Sequence, residues 1–357
     1  MPADHSAPYP LGMLHLLLIS GALAAEPTDL PPFLRGDVYA GYRMSYQTGS
    51  LVEPVKGEEV SVGRLVTQDH RMHVGGSFGV APIAALTLEF PISLKQEIGW
   101  SDATSMIFDP TAGVGSMQGG IPIERESVTG SGLSGVWMGL QVAPFSERDF
   151  PNRGNQASWL LDLGYRTKDA THFYDLSAAE RGAGHGASTL RIRSAFSKEL
   201  GRSQPHLTAT YNRVNDTNAT LFAADGTQVE ATVINPDELL VMSGVEVHTF
   251  ADPISQAEFA VDFRLGFAYQ TWGDLPSGLY LPSVLDSSLG TVSTMGEQTR
   301  FIGGIGIYWR LFEYLKLELA SDVSYVMPTQ FENPYLVQTG SNTVRFDTRA
   351  DLVVMFR

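Results

Sequence analysis

A chain of 357 residues with a formal charge of −15 and no cysteine closes off several kinds of protein at once. Nucleic acid is excluded as a partner, because such binding rests on Lys and Arg neutralising phosphates; disulfides, thiolate metal sites and cysteine nucleophiles go with the cysteines. Apolar residues make up 43% and charged residues 18%, yet after the N-terminus no apolar run approaches the roughly 20 residues that a membrane helix requires.

The first element is LGMLHLLLISGALAA at 11–25. It has the length of a signal-peptide core, and Ala22, Leu23 and Ala24 supply the small residues of a cleavage site. No Lys or Arg occurs before Arg35, which is unusual for a secretory leader and leaves the translation start open. A buried hydrophobic helix is the other reading, but Pro27, Pro31 and Pro32 end the run with no amphipathic continuation.

From residue 36 onward, alternating apolar and polar segments bounded by Gly, Pro, Asn and Asp predict twelve β-strands. They are 36–47, 60–80, 83–97, 133–144, 156–168, 186–199, 203–214, 238–250, 256–272, 299–310, 314–327 and 342–357. Successive side chains on a strand point to opposite faces, so each strand has one apolar and one polar side. Taken in order, the polar sides present Arg43; Arg71; Glu89 and Lys95; Asp162 and Arg166; Arg191 and Arg193; and Glu246 with His248. In the ninth strand Asp262 and Arg264 alternate with Phe259, Val261, Phe263, Leu265 and Phe267. Lys316, Glu318 and Asp322 alternate with Leu315, Leu317, Leu319 and Val323 in the eleventh. The last strand sets Arg345, Asp347, Arg349 and Asp351 against Val344, Phe346, Leu352, Val354 and Phe356. One Arg or Lys at a bilayer midplane costs roughly 2 to 4 kcal/mol. The charged faces therefore point into a lumen, and these residues are its lining and the pore candidates.

The connections alternate in length along the chain. Short links at 81–82, 201–202, 251–255 and 311–313 face six long ones, including 98–132, 169–185, 215–237 and 273–298; residues 145–155 form the single longer link on the short side. An even strand number with short turns on one side and long loops on the other predicts an all-β fold, a transmembrane antiparallel up-and-down β-barrel of the Gram-negative outer membrane. The expected division is a signal peptide over 1–24, a short periplasmic segment over 25–35 and the barrel over 36–357. Lipid, lipopolysaccharide and, through the terminal strand ending at Phe356, the barrel-assembly machinery are the expected partners. The long loops hold far more Asp and Glu than their bases Lys56, Arg125 and Arg181, so divalent cations shared with lipopolysaccharide phosphates are expected there without a dedicated metal site. The same loops carry Phe108, then Leu279, Tyr280, Leu281 and Leu285, then Phe331, an apolar entrance for substrate or, folded inward, a constriction.

The phrase GLSGVWMGLQVAPF at 132–145, followed by SWLLDLGY at 158–165, resembles strand pairs of the outer-membrane transporters grouped with the long-chain fatty-acid transporter and the meta-pathway phenol-degradation channel. That resemblance implies passage of small hydrophobic solutes across the outer membrane. It stops short of the fatty-acid transporter's N-terminal hatch, whose Asn-Pro-Ala motif is missing from residues 25–35, so no substrate contact is carried over.

An enzyme is not expected. A phospholipase-like barrel would show His-x-Ser on one strand face, and none of the eight histidines has Ser two residues on; the Gly-x-Ser-x-Gly and His-Glu-x-x-His motifs are missing too. Nothing calls for a cofactor. The expected function is passive uptake of small hydrophobic or amphipathic molecules; a structural or surface-interaction barrel with a closed, salt-bridged lumen is the alternative, and a barrel hydrolase the more remote one.

Overall fold

The computed structural model describes residues 30–55, 58–101, 104–108, 117–122, 127–146, 157–169, 186–222, 228–252, 255, 257–276, 292–328, 330–333 and 336–356. The signal peptide expected over 1–24 lies outside the described residues. Twelve antiparallel strands close into a barrel: β1 (Gly36–Val55), β2 (Glu58–Ala81), β3 (Ala84–Ser101), β4 (Trp137–Phe145), β5 (Ser158–Arg166), β6 (Thr189–Ser197), β7 (Ser203–Val214), β8 (Glu238–Asp252), β9 (Ala257–Gln270), β10 (Gln298–Phe312), β11 (Leu315–Val326) and β12 (Leu336–Phe356). Each pairs with its sequence neighbour, and β1 pairs with β12 from Gly36↔Phe356 to Val52↔Thr339. Closure leaves no edge strand, the condition for burying backbone polar groups in hydrocarbon.

The polarity is inverted relative to a water-soluble domain. The outer surface carries Phe263, Leu265, Phe301, Ile305, Leu319, Val323, Phe346 and Leu352, with Leu265 72% exposed. Buried residues are mostly polar: Asp162, Arg193, Asp262, Arg264, Arg345 and Asp351 are all nearly sealed from solvent. Such a surface is stable only when the outward residues meet lipid. Apolar clusters inside are small, the largest described being Ala143, Leu160 and Ala195 with Leu30 against them.

Three features go beyond the sequence expectation. First, the strands on the long-loop side extend farther: β1 continues to Val55, β12 begins at Leu336, and short strands such as Thr104–Phe108, Met117–Pro122 and Val292–Met295 occupy stretches expected as loops. Second, the strand expected at 133–144 is broken. Ser127–Leu133 pairs with the upper part of β3, and β4 with its lower part. Between them Gly132 and Gly135 have φ of 132° and 69°, which glycine adopts without penalty. The break is held by Ser134 N donating to Pro91 O and by Val136 N donating to Thr167 Oγ1, each 2.9 Å.

Third, the chain before β1 lies against the inner wall at the short-turn end. Leu34 N donates to Gly79 O and Gly79 N to Arg35 O, both 2.9 Å. Gly79 is inward-facing, and a Cβ on it would meet the carbonyl oxygens of Pro32 at 2.3 Å and Pro31 at 2.6 Å. The missing side chain is what lets this segment sit there.

Candidate functional site: the barrel lumen

Strand register sorts the inward charges into rows. Arg43 on β1 stands directly opposite Arg71 on β2 and Arg349 on β12, so three arginines share one cross-strand row. One pair toward the long loops, Ser45 is flanked by Asp69 and Asp347; one pair the other way, Gly41 is flanked by His73 and Asp351. Like charges directly opposite one another are unfavourable, so the carboxylates above and below supply the compensation. Arg71 Nη2 lies 3.0 Å from Asp69, Arg345 grips Asp347 through Nε and Nη2 at 2.7 Å each, and Arg349 pairs with Asp351. Arg43 is held most loosely, its nearest carboxylate being Glu89 at 4.0 Å.

Elsewhere on the wall Arg264 reaches Asp322 at 2.9 Å and Asp262 at 3.7 Å, Arg191 reaches Asp162 at 3.2 Å, and Arg300 pairs with Glu238. Near the short turns His248 lies between Glu258 at 2.5 Å and Glu246 at 3.5 Å, with Arg310 on Glu258 at 3.2 Å and Lys316 on Glu318 at 2.8 Å.

Several of these contacts skip a strand, and most of those skips pass over an inward glycine, whereas Arg300 on β10 reaches Glu238 on β8 past Ala268. Tyr39 on β1 crosses Gly75 to donate to Glu89 on β3, at 2.9 Å. Asp351 on β12 crosses Gly41 to His73 on β2, 2.6 Å away. On the far wall His206 of β7 crosses Gly244 to Asp262 of β9 at 2.9 Å, and Asp322 of β11 crosses Gly304 to Arg264 of β9. Arg191 of β6 crosses Gly164 to lie 4.7 Å from the centre of the Trp137 ring on β4, a cation–π distance. Side chains laid along the wall in this way compensate one another's charge.

Of the residues expected to line the lumen, Arg43, Arg71, Glu89, Asp162, Arg166, Arg191, Arg193, Glu246, His248, Asp262, Arg264, Lys316, Glu318, Asp322, Arg345, Asp347, Arg349 and Asp351 all face inward. Lys95 does not. A β-bulge between Ser93 and Gln96 places it opposite the outward His70, with its side chain 47% exposed and bonded to Glu97 at 2.5 Å; one extra residue reverses the alternation. Alternation also reaches residues the expectation left out. Asp69 and His73 share the parity of Arg71, and Glu238 that of Glu246. Of the loop candidates, Phe108 and Phe331 fall on short strands, while Leu279, Tyr280, Leu281 and Leu285 lie outside the described residues.

A cavity of about 120 Å³ lies at the arginine row. Arg43, Arg71, Arg300, Arg345 and Arg349 bound it, together with Asp69, Asp322 and Asp347. Leu240, Met242, Ile302 and Ala320 from β8, β10 and β11 contribute an apolar side. Among the described residues no group of three His, Asp or Glu is placed to hold a metal ion.

An apolar exterior, a charge-compensated interior and complete strand closure make this a β-barrel of the Gram-negative outer membrane. Among solved structures it is similar to the COG4313 outer membrane channel from Pseudomonas putida F1, with 12% identity and a TM-score of 0.51 over 92% of this chain and 98% of that one. A FadL homologue of Pseudomonas aeruginosa matches over 90% of each chain at 11% identity and a TM-score of 0.44, and a mutant of the TodX monoaromatic hydrocarbon channel over 93% of each at 10% and 0.38. At such identities the first speaks for the fold alone, and the other two add no weight. No family model and no curated protein matches the sequence.

Proposed function

We propose that the barrel is a channel for passive uptake of small hydrophobic or amphipathic molecules. The observation that carries this is the lumen cavity with an apolar side. A wall of ion pairs has no need of Leu240, Met242 and Ile302, and turning them inward forgoes the hydrocarbon that solvates every outward apolar residue. An amphipathic solute is what such a surface accommodates, because it meets the apolar groups without stripping water from the charged ones.

On this reading the apolar loop residues Phe108, Leu279, Tyr280, Leu281, Leu285 and Phe331 form the entrance. Loop carboxylates share divalent cations with lipopolysaccharide, the leader is removed near Ala24, and the terminal strand presents Phe356 to the assembly machinery. The closed-lumen alternative has its own support: the strand-skipping side chains and the segment at Gly79 both narrow the interior. Planar-bilayer conductance and swelling of liposomes in neutral amphipathic solutes separate the two. Flux through correctly folded protein supports the channel; no conductance and no swelling leaves a structural barrel.

A further inference from the structure

The cavity is asymmetric in charge as well as in polarity. Five arginines border it against three aspartates, in a chain whose net charge is −15. Three of those arginines, Arg71, Arg43 and Arg349, stand in one cross-strand row. Repulsion within such a row is relieved by an anion bridging its members, and guanidinium is the side chain best shaped to grip a carboxylate at two points. Donors remain for it: Nε of Arg43 and Nε of Arg71 are buried and have no hydrogen-bond partner among the described residues. Buried guanidinium nitrogens left this way are costly, which makes them an affinity source for a ligand that satisfies them. Leu240, Met242 and Ile302 form the apolar side of the same cavity.

From this arrangement we infer that the lumen holds a binding site for a small amphipathic organic anion, a single carboxylate on a compact apolar body. The carboxylate lies on the Arg43–Arg71–Arg349 row and the body lies against Leu240, Met242 and Ile302. Size fixes the body. A cavity of about 120 Å³ is close to the roughly 150 Å³ that accommodates benzene in a protein interior, so one ring or a chain of a few carbons fills it. The inference rests on reading the lumen as a solute path and names the class of solute that path selects.

Titration calorimetry on the detergent-folded protein tests it, with benzoate as the probe and benzyl alcohol as its neutral counterpart. Benzoate binds at least about tenfold more tightly than benzyl alcohol, and Arg43→Gln removes that preference, since a charged hydrogen bond of this kind is worth about a factor of ten. Arg43 is the variant of choice because among the described residues the carboxylate it pairs with, Glu89, is 4.0 Å away; heat-modifiability on a gel confirms that the barrel has formed. Ile302→Asn should weaken benzoate while leaving the binding of acetate, which has no ring, unchanged. Equal affinity for benzoate and benzyl alcohol, or an Arg43→Gln protein that keeps the preference, overturns the site. Swelling assays with neutral solutes are read separately: flux without benzoate preference removes this inference and leaves the channel, whereas benzoate binding without flux keeps the site and removes the channel.

Discussion

Gly303 and Gly304 are neighbours on β10 with opposite surroundings. A Cβ on Gly304 would collide with Asp322 Oδ1, whereas one on Gly303 would meet only Leu265 Cδ2 at 3.8 Å, an ordinary contact. Gly304→Ala should therefore push Asp322 off Arg264 and destabilise the folded barrel by about 2 kcal/mol, the scale of a lost charged hydrogen bond. Gly303→Ala should be neutral or slightly stabilising, because it reduces the freedom of the unfolded chain. Urea unfolding in micelles compares them. Equal midpoints would mean that the strand-skipping contacts contribute nothing. At this scale the sequence shows which face a charge occupies and little more. Arg264, Asp322 and Asp351 are legible as inward because alternation fixes parity, but that each leans across an inward glycine depends on register between strands far apart in the chain. Lys95 was misplaced for the converse reason: a bulge is a single extra residue that nothing in KQEIG announces.

The ninth strand shows the element scale most plainly. Phe263, Leu265 and Phe267 face out while Asp262, Arg264, Gly266 and Ala268 face in, so Leu265→Arg puts a guanidinium in the outer band. It should cost roughly 2 to 4 kcal/mol and lower the yield of heat-modifiable barrel; on the inner face, Ser324→Asn on β11 should cost far less. At the short-turn end, Gly79→Val should displace residues 30–35 from the wall, because its side chain would occupy the space of the Pro31 and Pro32 carbonyls. Faster tryptic cleavage after Arg35 in the folded protein is the expected result, and an unchanged rate would show the segment is held by other contacts. All twelve strands were legible where they cross the membrane, since lipid on one side enforces strict alternation. Their extensions beyond it were not, because water on both sides removes that constraint, and Gly49 and Pro54 in β1 then read as strand breakers. The break at 134–136 was hidden for a related reason: both halves alternate, and only the change of partner from Ser127–Leu133 to β4 along β3 reveals it.

For the whole molecule, oily residues face outward, paired charges line the interior, and the acidic excess is carried by the connections on the long side. The even strand count and the alternation of short and long links made the architecture readable from sequence, whereas the cavity at the arginine row required six strands to be brought together by closure. The native chain has no cysteine, so single labels can be placed without background. A spin label on Leu265→Cys and another on Ala268→Cys, in protein reconstituted into liposomes, compare the two faces of β9 within one turn of the pleat. Collision rates with oxygen and with a water-soluble nickel chelate should show the label at 265 open to oxygen and shielded from nickel, with the label at 268 buried from lipid. Equal accessibility at the two positions, or nickel reaching 265 as freely as a soluble surface, would contradict a barrel that turns its apolar face to the membrane.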